Sequence, residues 1–318
     1  MKEFKFKSQK TPLVSILMNC FNGEKFLSES IDSIVAQTYQ NWELIFWDNQ
    51  STDSSKEIFE SYNDSRLKYF LAPKHTDLGG GRSAAYEYLN GDFIAVLDVD
   101  DLWLPMKLEK QLSLFDDPEV GIVISDTMFF NELDERALYD GKFPKEGFVF
   151  KNLLKNYFVS LETLMLRKSI LDKLNYGFDA DFSFIADFDI VLRTAKISKL
   201  AIYKEVLAKW RVHDESDSWK SSISFCIERE SWIKKQMKTN PGLLEDCNNE
   251  ISHLHSKNFL LMAIYSLAKN ERIKAFRFIL RANFKNVYDY LVLILCFIPL
   301  SNKIVQYLQK QRIKRLLK

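Results

Sequence analysis

The sequence predicts an α/β protein built on a mostly parallel sheet flanked by helices, followed by a helical C-terminal region. Three observations carry that prediction. Short apolar runs alternate with helix-spaced segments through the N-terminal part of the 318 residues, the pattern of βαβ units. The runs end in polar turns rich in Asp, Asn and Gly, the rim where parallel sheets bind ligands. Strand signals stop near Asp217, and the remainder reads as helices with one break at Asn240-Pro241-Gly242.

Taken in order, Leu13 to Met18 predicts a strand, and Leu27, Ile31, Ile34 and Val35 predict a helix face. Leu44 to Trp47 is the next strand. The turn Asp48-Asn49-Gln50-Ser51-Thr52-Asp53 leads to a helix near Ser54 to Tyr62, where Ser54 and Glu57 have capping-box spacing. Leu67 to Leu71 is a third strand, and a Gly79-Gly80-Gly81 turn opens a further helix. Phe93 to Leu97 is the fourth strand. Pro105 suits the first position of a helix carrying Leu108, Leu112 and Phe115. Val120 to Ser125, Leu161 to Leu166 and Val206 to Val212 read as strands, and Phe184 to Ala195 as a helix. Residues 126–150 read as loops and short strands.

Composition narrows the classes. A net charge of +1 argues against a nucleic-acid binder, which normally carries a strong basic excess. Cys20, Cys226, Cys247 and Cys296 are scattered without a CxxC pair, which favours a reducing compartment with neither disulfides nor structural zinc. Residues 1–10 are polar and basic, so no signal peptide is expected. The most lipid-like run, Tyr290 to Ile298, is too short to span a bilayer, which takes roughly 20 helical residues.

The run Phe93-Ile94-Ala95-Val96-Leu97 passes straight into Asp98-Val99-Asp100-Asp101. Carboxylates of one sign at a buried strand end repel one another unless a cation joins them. If the extended geometry persists, Asp98 and Asp100 point the same way. Two such carboxylates suit Mg²⁺ or Mn²⁺, with water and substrate phosphates completing the shell. Asp101 is equally suited to capping the turn into the Pro105 helix. No GxxxxGK[ST] phosphate loop is present.

VSILMNCFNGEKFLSESIDSIVAQTYQNWELIFWDNQSTDSS, then the Arg82 helix, then GDFIAVLDVDDLW, resembles a family 2 glycosyltransferase of the GT-A fold from Val14 to about His213. The resemblance implies a Rossmann-like sheet, a nucleotide-sugar donor, a divalent metal and inversion at the anomeric carbon. It implies that residues 1–120 bind the donor, that 121–216 hold the acceptor side and the base, and that 217–318 form a helical region associated with membrane or partner.

Carried over by position, Asp48 matches the aspartate that contacts the donor base; its carboxylate suits the N3–H of uracil. Capping of its own turn is the competing role. Arg82 matches the arginine beside the donor's nucleotide or diphosphate. Asp98 and Asp100 match the D-x-D that holds the metal and, through it, the donor. FSFIADFDIVLRTAK matches the family's E-D-x-D helix and places the catalytic base at Asp187. Asp189 points about 200° away on a helix and, four residues before Arg193, is expected to form a surface pair. His213, ending WRVH, matches a further metal ligand. Asn19 departs from the usual proline, Asn49 from a second aspartate, Ser83 from an asparagine, and Ala186 from a glutamate beside the base.

The tail KIVQYLQKQRIKRLLK from Lys303 is basic without an acidic residue. Beside apolar helices it predicts either docking on anionic lipid at the cytoplasmic face of a membrane or a protein interface. The expected activity is metal-dependent inverting transfer of a sugar, from a UDP-type donor to a glycan or lipid-linked hydroxyl. The alternatives are a haloacid-dehalogenase-type phosphatase, a nucleotidyltransferase using the same acidic metal site, and a non-catalytic carbohydrate-binding protein.

Overall fold

The computed structural model describes residues 11–213, 222–282, 287–299 and 301–316, with side chains described up to residue 308. The sequence boundary near Asp217, the opening residues 1–10 and the basic side chains of the last ten residues lie outside this description. Residues 11–150 and 158–212 form one compact unit. Residues 151–157 group with the chain from His213 onward in a second.

The first unit opens with β1 (Val14–Cys20), α1 (Leu27–Val35), β2 (Trp42–Asp48), α2 (Ser55–Glu60), β3 (Leu67–Leu71), α3 (Leu78–Tyr86) and β4 (Phe93–Val96). β1 pairs in parallel with β2 and β4, and β2 with β3. β1, β2 and β4 are buried along their whole length, so their sequences are continuous apolar runs rather than alternating ones. Leu27, Ile31 and Ile34 of α1 supply the helix face packed against them.

The sheet continues through β5 (Leu102–Trp103), β6 (Val120–Phe130), β7 (Glu135–Ala137), β8 (Met165–Arg167) and β9 (Lys199–Arg211). Its order is β3-β2-β1-β4-β8-β6-β9-β5, with β7 beside β6. β8 runs antiparallel to both β4 and β6, whereas β6 and β9 are parallel. Between these strands in the chain come α4 (Lys107–Leu112), α5 (Phe150–Lys155), which groups from residue 151 with the second unit, α6 (Lys168–Leu171) and α7 (Ala186–Ile197).

Several local expectations change. β9 begins at Lys199, because its pairing with β6 runs on both sides of the polar Lys204-Glu205, where the register shifts and composition disfavours a strand. The segment predicted as one strand over 161–166 splits into a 3₁₀ turn, closed by the Thr163 N–H on the Ser160 carbonyl, and the short β8. The Ser54 capping box does not form. Glu24 accepts the Ser54 N–H and Asp53 the Ser55 N–H, both at 3.0 Å. Pro105 lies in the turn before α4, which starts two residues later. The glycine run is not a turn but the first turn of α3, capped by Asp77 accepting from Gly80 N–H at 2.9 Å. A Cβ at Gly79 would collide with the Phe182 carbonyl, so that glycine serves close packing.

The second unit's described helices from residue 222 onward are α8 (Ser222–Thr239), α9 (Asn248–Ala268), α10 (Arg272–Ile279), α11 (Val287–Leu295) and α12 (Ser301–Leu316). Ala263, Leu267, Ala275, Ile279, Val292 and Val305 form its core. Buried Glu230 lies 2.7 Å from His255 Nδ1 and accepts from Asn258 at 2.8 Å. No described helix is long and apolar enough to cross a membrane. All four cysteines are buried and free.

Candidate active site

The strand order reverses between β1 and β4, and a ligand crevice forms where neighbouring connections diverge in this way. Asp48 ends β2 on this rim. It is 2% exposed, and both oxygens accept: Oδ1 from the Ser51 N–H at 2.7 Å and Oδ2 from the Tyr69 hydroxyl at 2.6 Å. The turn-capping role is therefore realised. Burial, reinforced by the Asp48 carboxylate, pushes the Tyr69 phenol up. Asn49 is also engaged, bridging to Thr76 through both ends of its amide.

β4 ends at Val96, and a turn at Val99-Asp100 follows, with the Asp101 N–H on the Asp98 carbonyl at 3.2 Å. The extended alternation expected of Asp98 and Asp100 does not persist; both sit, half-buried, in this turn. Arg82, on the buried face of α3, donates from Nη2 to Asp98 Oδ1 at 2.6 Å. Asp101 does not cap α4. Its Oδ1 accepts the Arg211 N–H at 2.9 Å and its carbonyl accepts from Ser30, tying the turn to β9 and α1. Burial, then Asp100 and Glu162, push its carboxyl well above the usual carboxylate range.

Sequence reasoning passed over three supporting residues. Arg211 donates from Nε to the Asp100 carbonyl at 2.9 Å and from Nη2 to Glu29 at 2.8 Å, bracing the acidic turn. It lies inside WRVH, so the motif held the signal. Lys107 is fully buried, donates to Gln111 at 2.7 Å, and lies 4.1 Å from the Trp103 ring centre. Burial lowers its pKa to about 7. Glu162, also buried, accepts from the Ser160 hydroxyl at 2.7 Å, and burial raises its pKa. Neither of these two is marked by spacing or motif.

Asp187 lies half-buried in the first turn of α7, where an anionic side chain is favoured. Asp189 is not a surface residue. It is 0% exposed and holds Arg193 through Nε at 3.0 Å and Nη2 at 2.5 Å, while Arg193 also donates to the Tyr176 and Gly177 carbonyls. The pair pins the segment before α7. His213 follows β9 by two residues and belongs to the second unit.

Among the described residues, no three His, Cys, Asp or Glu side chains gather closely enough to hold a metal ion. Asp98, with a side chain 34% exposed, and Asp100 provide hard oxygen donors. Such a pair fits Mg²⁺ or Mn²⁺ that keeps water and takes substrate phosphates, and does not make a protein-only cage.

Residues 15–174 match the family described as glycosyl transferase family 2. The chain belongs to that family. It is a glycosyltransferase, and the GT-A fold expected from the sequence is the one observed. The UDP-Glc:alpha-D-GlcNAc-diphosphoundecaprenol beta-1,3-glucosyltransferase WfgD of Escherichia coli is 33% identical over 167 residues, 52% of this chain and 64% of that protein. The match therefore spans less than two thirds of WfgD. Among solved structures, S. aureus TarS 1–349 superposes with a TM-score of 0.62 at 15% identity, over 94% of this chain and 91% of that one. The mannosyltransferase PcManGT from Pyrobaculum calidifontis, solved with GDP-Man and Mn²⁺, gives 0.61 at 17% identity, over 97% and 88%. At these identities the two structures bear on the glycosyltransferase fold alone.

Proposed function

We propose that this glycosyltransferase moves a sugar from a UDP-type donor to a hydroxyl of a glycan or lipid-linked acceptor, with inversion at the anomeric carbon. The observation that carries the reading is the buried Arg82 joined to Asp98 at the β1/β4 crevice, beside Asp100. A guanidinium and two carboxylates there match a diphosphate and its cation. WfgD, whose name specifies a UDP-glucose donor and a diphosphoundecaprenol-linked acceptor, supports the substrate classes.

In this reading Asp98 and Asp100 hold Mg²⁺ or Mn²⁺ together with water and phosphate oxygens, and Arg82 meets the donor's phosphates. When bound, the ion supplies positive charge that stabilises the departing diphosphate. Asp48 fixes the β2 rim; each of its oxygens keeps a lone pair, the acceptor capacity a uracil N3–H needs. Asp187 takes the proton from the acceptor hydroxyl as that oxygen attacks the anomeric carbon, an effect worth roughly 10² to 10⁴ in rate. In a single in-line displacement the new glycosidic bond forms as the bond to the diphosphate breaks.

We also assign the helical unit a peripheral role at the cytoplasmic membrane face. Tyr290, Leu291, Ile294 and Phe297, then Ile304, Tyr307 and Leu308, are exposed apolar side chains leading into the basic tail. Flotation with anionic vesicles, lost with neutral ones, supports that role; equal recovery in the soluble fraction removes it.

The activity test is release of free UDP from a panel of UDP-sugars with and without Mn²⁺. Metal-dependent UDP release in the presence of acceptor is the expected result. Release of inorganic phosphate would instead favour the phosphatase reading.

A further inference from the structure

Beneath α3, three polar groups form a row across the sheet rim. Asn19 pairs in register with Trp47 on β2. On the other side Leu17 pairs with Val96, the last ladder pair before the turn that carries Asp98. Of the row, Asp98 is bonded to Arg82. Both ends of the Asn19 amide, the Trp47 Nε1 and the Arg82 Nε are buried without a hydrogen-bond partner. A buried polar group left unpaired is costly, so a rim carrying several of them calls for a state in which they are used.

The backbone of α3 comes close to these groups. Gly81 lies over the row: a Cβ there would collide with the Asn19 amide nitrogen and lie 3.6 Å from Trp47. Arg82, the next residue, reaches from this point to Asp98. The sequence carries an amide at the position where the family usually has a proline, which could accept nothing through its side chain.

We propose that Asn19 is a second seat for the Arg82 side chain. Resting on the donor reading above, the inference is that a cation on Asp98 competes with the Arg82 guanidinium that now bonds its Oδ1. When the donor's diphosphate and cation engage Asp98, the guanidinium pivots along the row, and the Asn19 amide oxygen accepts the Arg82 Nε–H. Asn19 is thus a positioning residue: it holds Arg82 where phosphate is bound and frees the carboxylate beside it.

Calorimetric binding of UDP to the full chain with MnCl₂ tests this with two substitutions of similar size. Asn19→Leu removes the acceptor and should weaken binding about tenfold. Asn19→Asp keeps an acceptor and should bind as tightly as the wild type or tighter. A purely structural role would weaken both alike, and that result, or wild-type affinity in Asn19→Leu, would overturn the proposal. In the unsubstituted protein, the Arg82 ¹⁵Nε resonance, assigned through Arg82→Lys, should shift on adding UDP and Mg²⁺; a stationary resonance also overturns it. No UDP binding by the wild type under either ion retires the donor reading, and this inference with it.

Discussion

Arg82 and Asp98 are joined by a 2.6 Å hydrogen bond that pairs an arginine 3% exposed with a carboxylate about one third exposed. Removing Asp98 strands a buried cation, so Asp98→Ala mixes loss of stability with loss of binding. Asp100 offers the cleaner test. Asp100→Ala should melt within a few degrees of the wild type without ligand, yet lose most of the stabilisation by UDP and Mn²⁺ in a thermal-shift assay. Retained stabilisation would remove Asp100 from the metal site.

Asp187→Ala should separate chemistry from binding. The account predicts donor affinity within about twofold of the wild type and turnover lower by roughly 10² to 10⁴. Steady-state kinetics with a saturating UDP-sugar measure this directly, and full turnover would move the base elsewhere.

Two residues along the same helix, the expected effect inverts. Asp189 and Arg193 are a buried, doubly bonded pair, so Asp189→Ala leaves the guanidinium without its partner. That should cost about 3–5 kcal/mol in urea unfolding. A loss below about 1 kcal/mol would show that the pair does not anchor α7.

Lys107 gives a pH signature. Burial lowers its folded pKa to about 7, against 10.5 for the free side chain. Between those values the unfolded chain binds more protons, so this residue's contribution makes stability rise with pH across that window. Lys107→Met should flatten the rise between pH 7 and 9, with Gln111 still held by the Thr163 carbonyl. An unchanged slope, measured by unfolding at several pH values, would contradict this.

The parallel half of the fold was legible because its strands are buried on both faces and their apolar runs need no context. Val14–Cys20, Trp42–Asp48 and Phe93–Val96 fall within two residues of their expected limits. β9 was underestimated because its first half is held by β6 rather than by its own composition. α3 was expected, but its first turn was hidden behind its glycines, two of which pack against Phe182 and Asn19, far away in sequence. At the site, Asp98 and Arg82 were named from position, and the structure brings them together. The burial of Asp189 and the Lys107 and Glu162 cluster depended on tertiary neighbours that no spacing encodes. Asn19 stood out in the sequence as a departure, but its meaning needed the register of β1 against β2 and β4.

The most direct measurement is thermal stabilisation of the full chain by a panel of nucleotide sugars, with and without Mn²⁺, for the wild type, Asp100→Ala and Asp187→Ala. The account predicts ion-dependent stabilisation by a UDP-sugar in the wild type and Asp187→Ala, and none in Asp100→Ala. Stabilisation that ignores the ion, or that survives in Asp100→Ala, would contradict a diphosphate held at the acidic turn after β4.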